Sequence, residues 1–148
     1  MSADPYDLSR FISAQAATLN AAIEELRAGR KRTHWMWFVF PQLKGLGVTP
    51  TARFYGISGL DEATAFLEHP VLGARLKMAV EAVQAGTAPS LHALFGSPDD
   101  LKFCSSLTLF TIAAPGGPYQ RALDRWCGGV PDRRTVALLS RGPAGRDI

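Results

Sequence analysis

Residues 101–114, LKFCSSLTLFTIAA, are apolar on nearly every side. A helix of that kind has no wet face, so it must lie inside the molecule with other elements around it. Its start is well marked. Ser97-Pro98-Asp99-Asp100 supplies a cap, a proline for the first turn and two carboxylates at the positive end of the helix dipole. Pro115-Gly116 and Gly117-Pro118 punctuate its end. The remaining apolar patterning is helical too. Leu8, Phe11, Ile12, Leu19, Ile23 and Leu26 follow Asp4-Pro5 at helical spacing, in one helix that Gly29 ends. Gln15 interrupts its apolar face, and Glu24, Glu25 and Arg27 lie on its wet side. Ser58 and Asp61 frame a cap before Ala63, Phe66 and Leu67. His69-Pro70 stops that helix and starts another, with Val71, Leu72, Leu76, Ala79, Val80 and Val83 on one face. Thr49-Pro50, Leu91 to Gly96, Tyr119 to Cys127 and Pro131 to Ser140 read as shorter helical pieces. The expected fold is all-α or α-dominant, a compact single-domain bundle of roughly six to eight helices, several of them short. It would span residues 1–141, with 142–148 as a flexible tail.

A chain of 148 residues can bury a real core, and 47% hydrophobic with 20% charged residues is globular composition. The net charge of +3 suits anionic partners without demanding nucleic acid. MSADPYDL has neither the basic nor the apolar region of a signal peptide, and no apolar run is long enough for a membrane span. The chain reads as cytoplasmic, with no membrane partner. Cys104 and Cys127 each sit in an apolar helical context and read as buried reduced thiols, a single disulfide being the alternative.

Residues 30–47, RKRTHWMWFVFPQLKGLG, are the candidate functional stretch. WMWFVF suits a buried strand or a short helix. The helix, His34 to Phe40, is favoured because nothing else in the chain offers a strand to pair with it. Thr33 would cap it and Pro41 would stop it. Between Glu25 and Asp61 no acidic residue occurs, while Arg27, Arg30, Lys31, Arg32, Lys44 and Arg53 fall there with His34. Uncompensated positive charge favours an anion. Trp37 and Tyr55 offer stacking faces, Gln42 a polar handle, and Gly45-Leu46-Gly47 close backbone approach. The plainer reading puts Trp35, Met36, Phe38, Val39 and Phe40 in the core and makes Arg30, Lys31 and Arg32 a solvated basic turn.

The buried helix carries Lys102, Ser105 and Thr108 at steps of three, with Ser106 four residues after the lysine. One reading turns this polar line toward a cavity shared with the basic stretch. The other lets Lys102 snorkel to water while the hydroxyls bond backbone carbonyls. On the first, the ligand-binding set is Arg30, Arg32, His34, Trp37, Gln42, Lys44, Arg53, Tyr55, Lys102, Ser105, Ser106 and Thr108. No catalytic residue is assigned, and His34 and Lys102 are the candidates. A Ser–Lys nucleophile from Ser105 or Ser106 has its motif order reversed. His34, His69 and His92 are too scattered for a metal site, His69 being a cap before Pro70, and no cofactor motif is complete.

DPYDL, ELRAGRKRTHWMWFVFPQLKGLG, EHPVLGARL and FGSPDDLKFCSSLTLF together resemble a family of small bacterial proteins, domain of unknown function 1810. Its members are sometimes labelled calpastatin-like. That label does not fit, because calpastatin-like inhibitors are disordered and polar whereas this chain has a core. The resemblance implies a mostly helical single domain whose most recognisable parts are the central motif and Lys102 to Phe110, and it brings no activity. A fainter similarity is to the NADAR group of helical proteins acting on ADP-ribose derivatives. No motif residue matches, and no Glu stands beside His34 for glycosidic cleavage. Three functions follow as expectations. The first is binding of a small phosphate- or nucleotide-like anion. The second is a nucleic-acid or protein interaction module. The third is a hydrolase of a nucleotide-linked sugar of the ADP-ribose type, with His34 as its acid–base group.

Overall fold

The computed structural model describes residues 4–141, so the expected tail at 142–148 lies outside the described residues. Ten helices occur there, seven of them seven residues or longer, with no strand among the described residues. They are α1 (Ser9–Ala16), α2 (Leu19–Ala28), α3 (Met36–Val39), α4 (Pro50–Phe54), α5 (Leu60–Glu68), α6 (Leu72–Ala85), α7 (Leu91–Phe95), α8 (Asp99–Ala113), α9 (Pro118–Trp126) and α10 (Arg133–Ser140). As the patterning requires, α8 is the central element. It packs against α5, α7, α9 and α10, and Phe103 and every residue from Ser105 to Thr111 are buried. Around it, α6 packs on α2, α5 and α9, and α1 packs on α3. Phe40, Phe95 and Phe103 form an aromatic knot with ring centroids 4.9–6.0 Å apart. Among the described residues no helix is long and apolar enough to cross a membrane.

Several local expectations change. The first helix is two. Thr18 turns its hydroxyl back onto the Ala14 carbonyl (2.8 Å) and the chain breaks there. Gln15 is buried and explains its own intrusion into the apolar face. Its Nε2 donates to the Phe38 carbonyl (2.6 Å) and its Oε1 accepts from Arg75 (3.3 Å), tying α1 to α3 and α6. Asp4 is not the cap residue of α1, but its carboxylate accepts from the N–H groups of Leu8 and Ser9 at 2.7 and 3.1 Å. The helix it precedes begins only at Ser9. The central run is a helix, but of four residues, and Thr33 does not cap it. Ser97 does not cap α8 either, whose start has no side-chain cap. The α5 cap is reversed, because Glu62 reaches back to accept from Ser58 N–H at 2.9 Å. Val71 is exposed. Thr49 caps α4, and His69 Nδ1 accepts from Val71 and Leu72 N–H at 3.1 and 3.3 Å, the role its place before Pro70 implied.

Cys104 and Cys127 are joined, correcting the expectation of reduced thiols. The reason is packing. α8 and α9 lie side by side, and Cys104 of α8 and Cys127, the residue that ends α9, have Cα atoms 6.0 Å apart, within the usual span of a disulfide.

Candidate functional site

The basic turn after α2 is organised by one carboxylate. Gly29 adopts φ 83°, a left-handed conformation that folds the chain back over the helix it ends. Residues 32–35 therefore meet Glu25. Its carboxylate accepts from Arg32 N–H (2.7 Å), Thr33 N–H (3.1 Å), the Thr33 hydroxyl (2.6 Å) and the Trp35 indole (3.0 Å). The anion this turn attracts is thus one of the chain's own. Arg30, Arg32 and His34 are exposed around it, and His34 makes no hydrogen bond or ion pair among the described residues.

Lys102 does meet the central stretch. Its Nζ lies 5.6 Å from the Trp37 ring centre and 3.5 Å from Asp99, whose carboxylate also takes Lys31 at 3.0 Å. Lys31 in turn sits over Trp35 at 5.3 Å. The two segments converge, therefore, on a shared carboxylate. The hydroxyls of α8 do not join them. Ser105 donates to the Leu101 carbonyl (3.1 Å) and Thr108 to Cys104 (2.8 Å), while Thr108 also accepts from Asp132 N–H (2.8 Å) and so seats the start of α10. Ser106 is buried with its hydroxyl unpartnered.

Lys44 and Arg53 come together elsewhere. Residues 42–44 and 56–58 run side by side through one parallel bridge, Leu43 to Ile57, with Ile57 N–H donating to Gln42 (2.9 Å) and Lys44 N–H to Ile57 (2.7 Å). Gly56 makes this approach feasible, since a Cβ there would stand 2.8 Å from Lys44 Cα. Beside the bridge opens a groove of about 390 Å³, lined by Tyr6, Arg10, Lys44, Arg53, Ser58 and Glu62 among others. Arg10 and Glu62 form its buried, ion-paired wall. Their ion pair is 2.8 Å long, with side chains 8% and 3% exposed, so both charges are spent on each other. Arg10 also donates to the carbonyls of Tyr6, Asp7, Phe54 and Gly56. Asp7 is the remaining carboxylate on the lining. Tyr55 is packed among Phe11, Phe38 and Phe54, ring centres 4.8–5.9 Å away, behind the groove.

A second groove of about 290 Å³ adjoins the first and shares Pro5 and Tyr6 with it. Leu8, Ile12 and Ala65 make its apolar surface, and Asp4 and His69 its polar one. The backbone N–H groups of Leu8 and Ser9 hold the Asp4 carboxyl below its ordinary pKa. Arg10 and Glu62 carry no signal in the sequence, and Tyr6 and Ser58 stand out there only as part of DPYDL and of a helix cap. Arg10 meets Glu62 across 52 positions, and only the tertiary fold makes them neighbours. Among the described residues no cluster of His, Cys, Asp or Glu could hold a metal ion.

A family model described as a protein of unknown function, DUF1810, matches residues 5–139. The crystal structure of a conserved hypothetical protein, Rv1873 from Mycobacterium tuberculosis, superposes with a TM-score of 0.90 at 54% identity. The match covers 93% of this chain and 99% of that one. No curated protein matches.

Proposed function

Because the chain belongs to the DUF1810 family, whose description assigns no activity, its own surface is the guide, and we propose that it binds a small phosphate-like anion between Lys44 and Arg53. One observation carries this reading. Both cations line the same groove, and neither has a carboxylate partner among the described residues. Arg10 and Glu62 cancel, which leaves Lys44 and Arg53 against Asp7 and a local excess of positive charge. The hydroxyls of Tyr6 and Ser58 are uncommitted within the described residues and add neutral donors. A surface recess with a few convergent polar groups is a form a small-ligand site takes. DPYDL, the Lys44 end of the central motif and EHPVLGARL, all stretches that carry the family resemblance, reach this groove or its neighbour.

Calorimetric titration with inorganic phosphate and pyrophosphate tests the reading, with melting temperature as a second measure because a ligand of the native state raises it. Lys44→Ala and Arg53→Ala should each weaken binding about tenfold or more, the usual worth of a hydrogen bond to a charged group. Arg30→Ala and Lys102→Ala should leave it unchanged. Equal binding by all four variants overturns the assignment.

A second reading has its own observation. Arg30, Arg32 and His34 stand exposed while Trp35 and Phe40 are core, the arrangement expected of a basic face for nucleic acid. Affinity for duplex DNA should then fall steeply with salt and fall further in the Arg30→Ala/Arg32→Ala variant.

A further inference from the structure

We infer that the two grooves form one bipartite site, and that its ligand is a phosphate ester carrying a flat heteroaromatic ring, the class to which nucleoside monophosphates belong. This rests on the anion reading above and adds the other half of the molecule it binds.

The grooves are neighbours, because Pro5 and Tyr6 line both, so one ligand laid across these two residues reaches each. Each alone lies near the lower end of the ~300–1,000 Å³ range of small-ligand sites, so a ligand larger than an inorganic anion would use both. Their surfaces differ in kind. The first holds Lys44 and Arg53. The second holds Leu8, Ile12 and Ala65, a surface that rewards a ring and not a hydrated ion. Tyr6 lies between the two grooves, a lining residue of both.

Polarity fixes the direction of binding. Asp4 is ionised, so the second groove repels a phosphate and the first attracts it. His69 narrows the class further. Its Nδ1 already accepts from two backbone N–H groups, so in the neutral ring the proton sits on Nε2. The second groove therefore combines one N–H donor, from His69, with one anionic acceptor, Asp4, beside an apolar surface. A ring bearing both an acceptor nitrogen and an amino or imino N–H satisfies both. A benzene ring satisfies neither.

Titration of the full chain with inorganic phosphate, phenyl phosphate and adenosine 5′-monophosphate separates the two readings. Adenosine monophosphate should bind at least about tenfold tighter than phosphate, with phenyl phosphate between them. Ala65→Leu fills the second groove without touching the first. It should erase the advantage of adenosine monophosphate and leave phosphate affinity unchanged. Should its melting curve show a disturbed fold, Ile12→Glu, which puts a further carboxylate on the same groove, gives the equivalent test. If adenosine monophosphate binds no tighter than phosphate, or keeps its advantage in Ala65→Leu and in Ile12→Glu, the bipartite site is overturned while the anion groove stands. If no probe binds, the anion reading falls and this inference with it.

Discussion

Glu25→Gln keeps the shape of the side chain that organises the basic turn and removes its charge. Burial alone would raise the Glu25 pKa, but hydrogen bonds from the Thr33 hydroxyl, the Arg32 N–H, the Trp35 indole and the Thr33 N–H outweigh it and lower it from 4.5 to about 2. A depressed folded-state pKa contributes stability that is complete above the unfolded value and disappears as pH falls from 4.5 toward about 2. The substitution should cost about 1–2 kcal/mol at neutral pH, less than the fullest worth of charged hydrogen bonds because the turn is partly wet. Urea melts of both proteins from about pH 7 to about pH 3 should show the difference narrowing on acidification. A constant difference would mean that shape, not charge, holds the turn. The positive charge here was legible in the sequence, since Arg30, Lys31 and Arg32 are contiguous. Its counter-ion was not. Glu25 belongs to the preceding helix, where spacing puts it on the wet face, and only the left-handed turn at Gly29 brings the two together. Lys102 was half legible in the same way: its approach to the central stretch is real, but Asp99 occupies the meeting point.

Between α5 and α6 the His69-Pro70 corner is so tight that a Cβ on Gly73 would stand 2.1 Å from the Leu67 carbonyl oxygen. A backbone atom cannot rotate aside, so the helices would have to part. Gly73→Ala should therefore destabilise the protein by about 2 kcal/mol or more, although alanine is the better helix former by ~1 kcal/mol. The urea midpoint measures this, and a stabilised variant would show that the corner yields. Corners of this kind were readable from local chemistry, as Thr49-Pro50 and His69-Pro70 show. The break between α1 and α2 was not. Its anchor, Gln15, finds its partners 23 and 60 positions away, at Phe38 and Arg75, and nothing in the local pattern distinguishes it from an interrupted apolar face.

For the molecule as a whole, the buried α8 is the axis, and the Cys104–Cys127 bond ties α9 to it across 23 residues of chain. Replacing both cysteines with alanine should lower stability by about 3 kcal/mol, the chain-entropy worth of a loop of that order. The unreduced, denatured protein should titrate no free thiol, and two reactive thiols would refute the bridge. That α8 would be central followed from its lack of a wet face, and the helical class followed with it. Lys44 and Arg53 were legible as cations, but the two grooves were not, because their walls come from α1, α4, α5, the bridge segments, the His69 corner and the turn after Asp4, which are joined only by folding. Pro5 and Tyr6 are the residues the two grooves share. A fluorescent label attached at either residue would crowd both recesses at once and understate affinity, so a label for binding measurements belongs elsewhere on the chain.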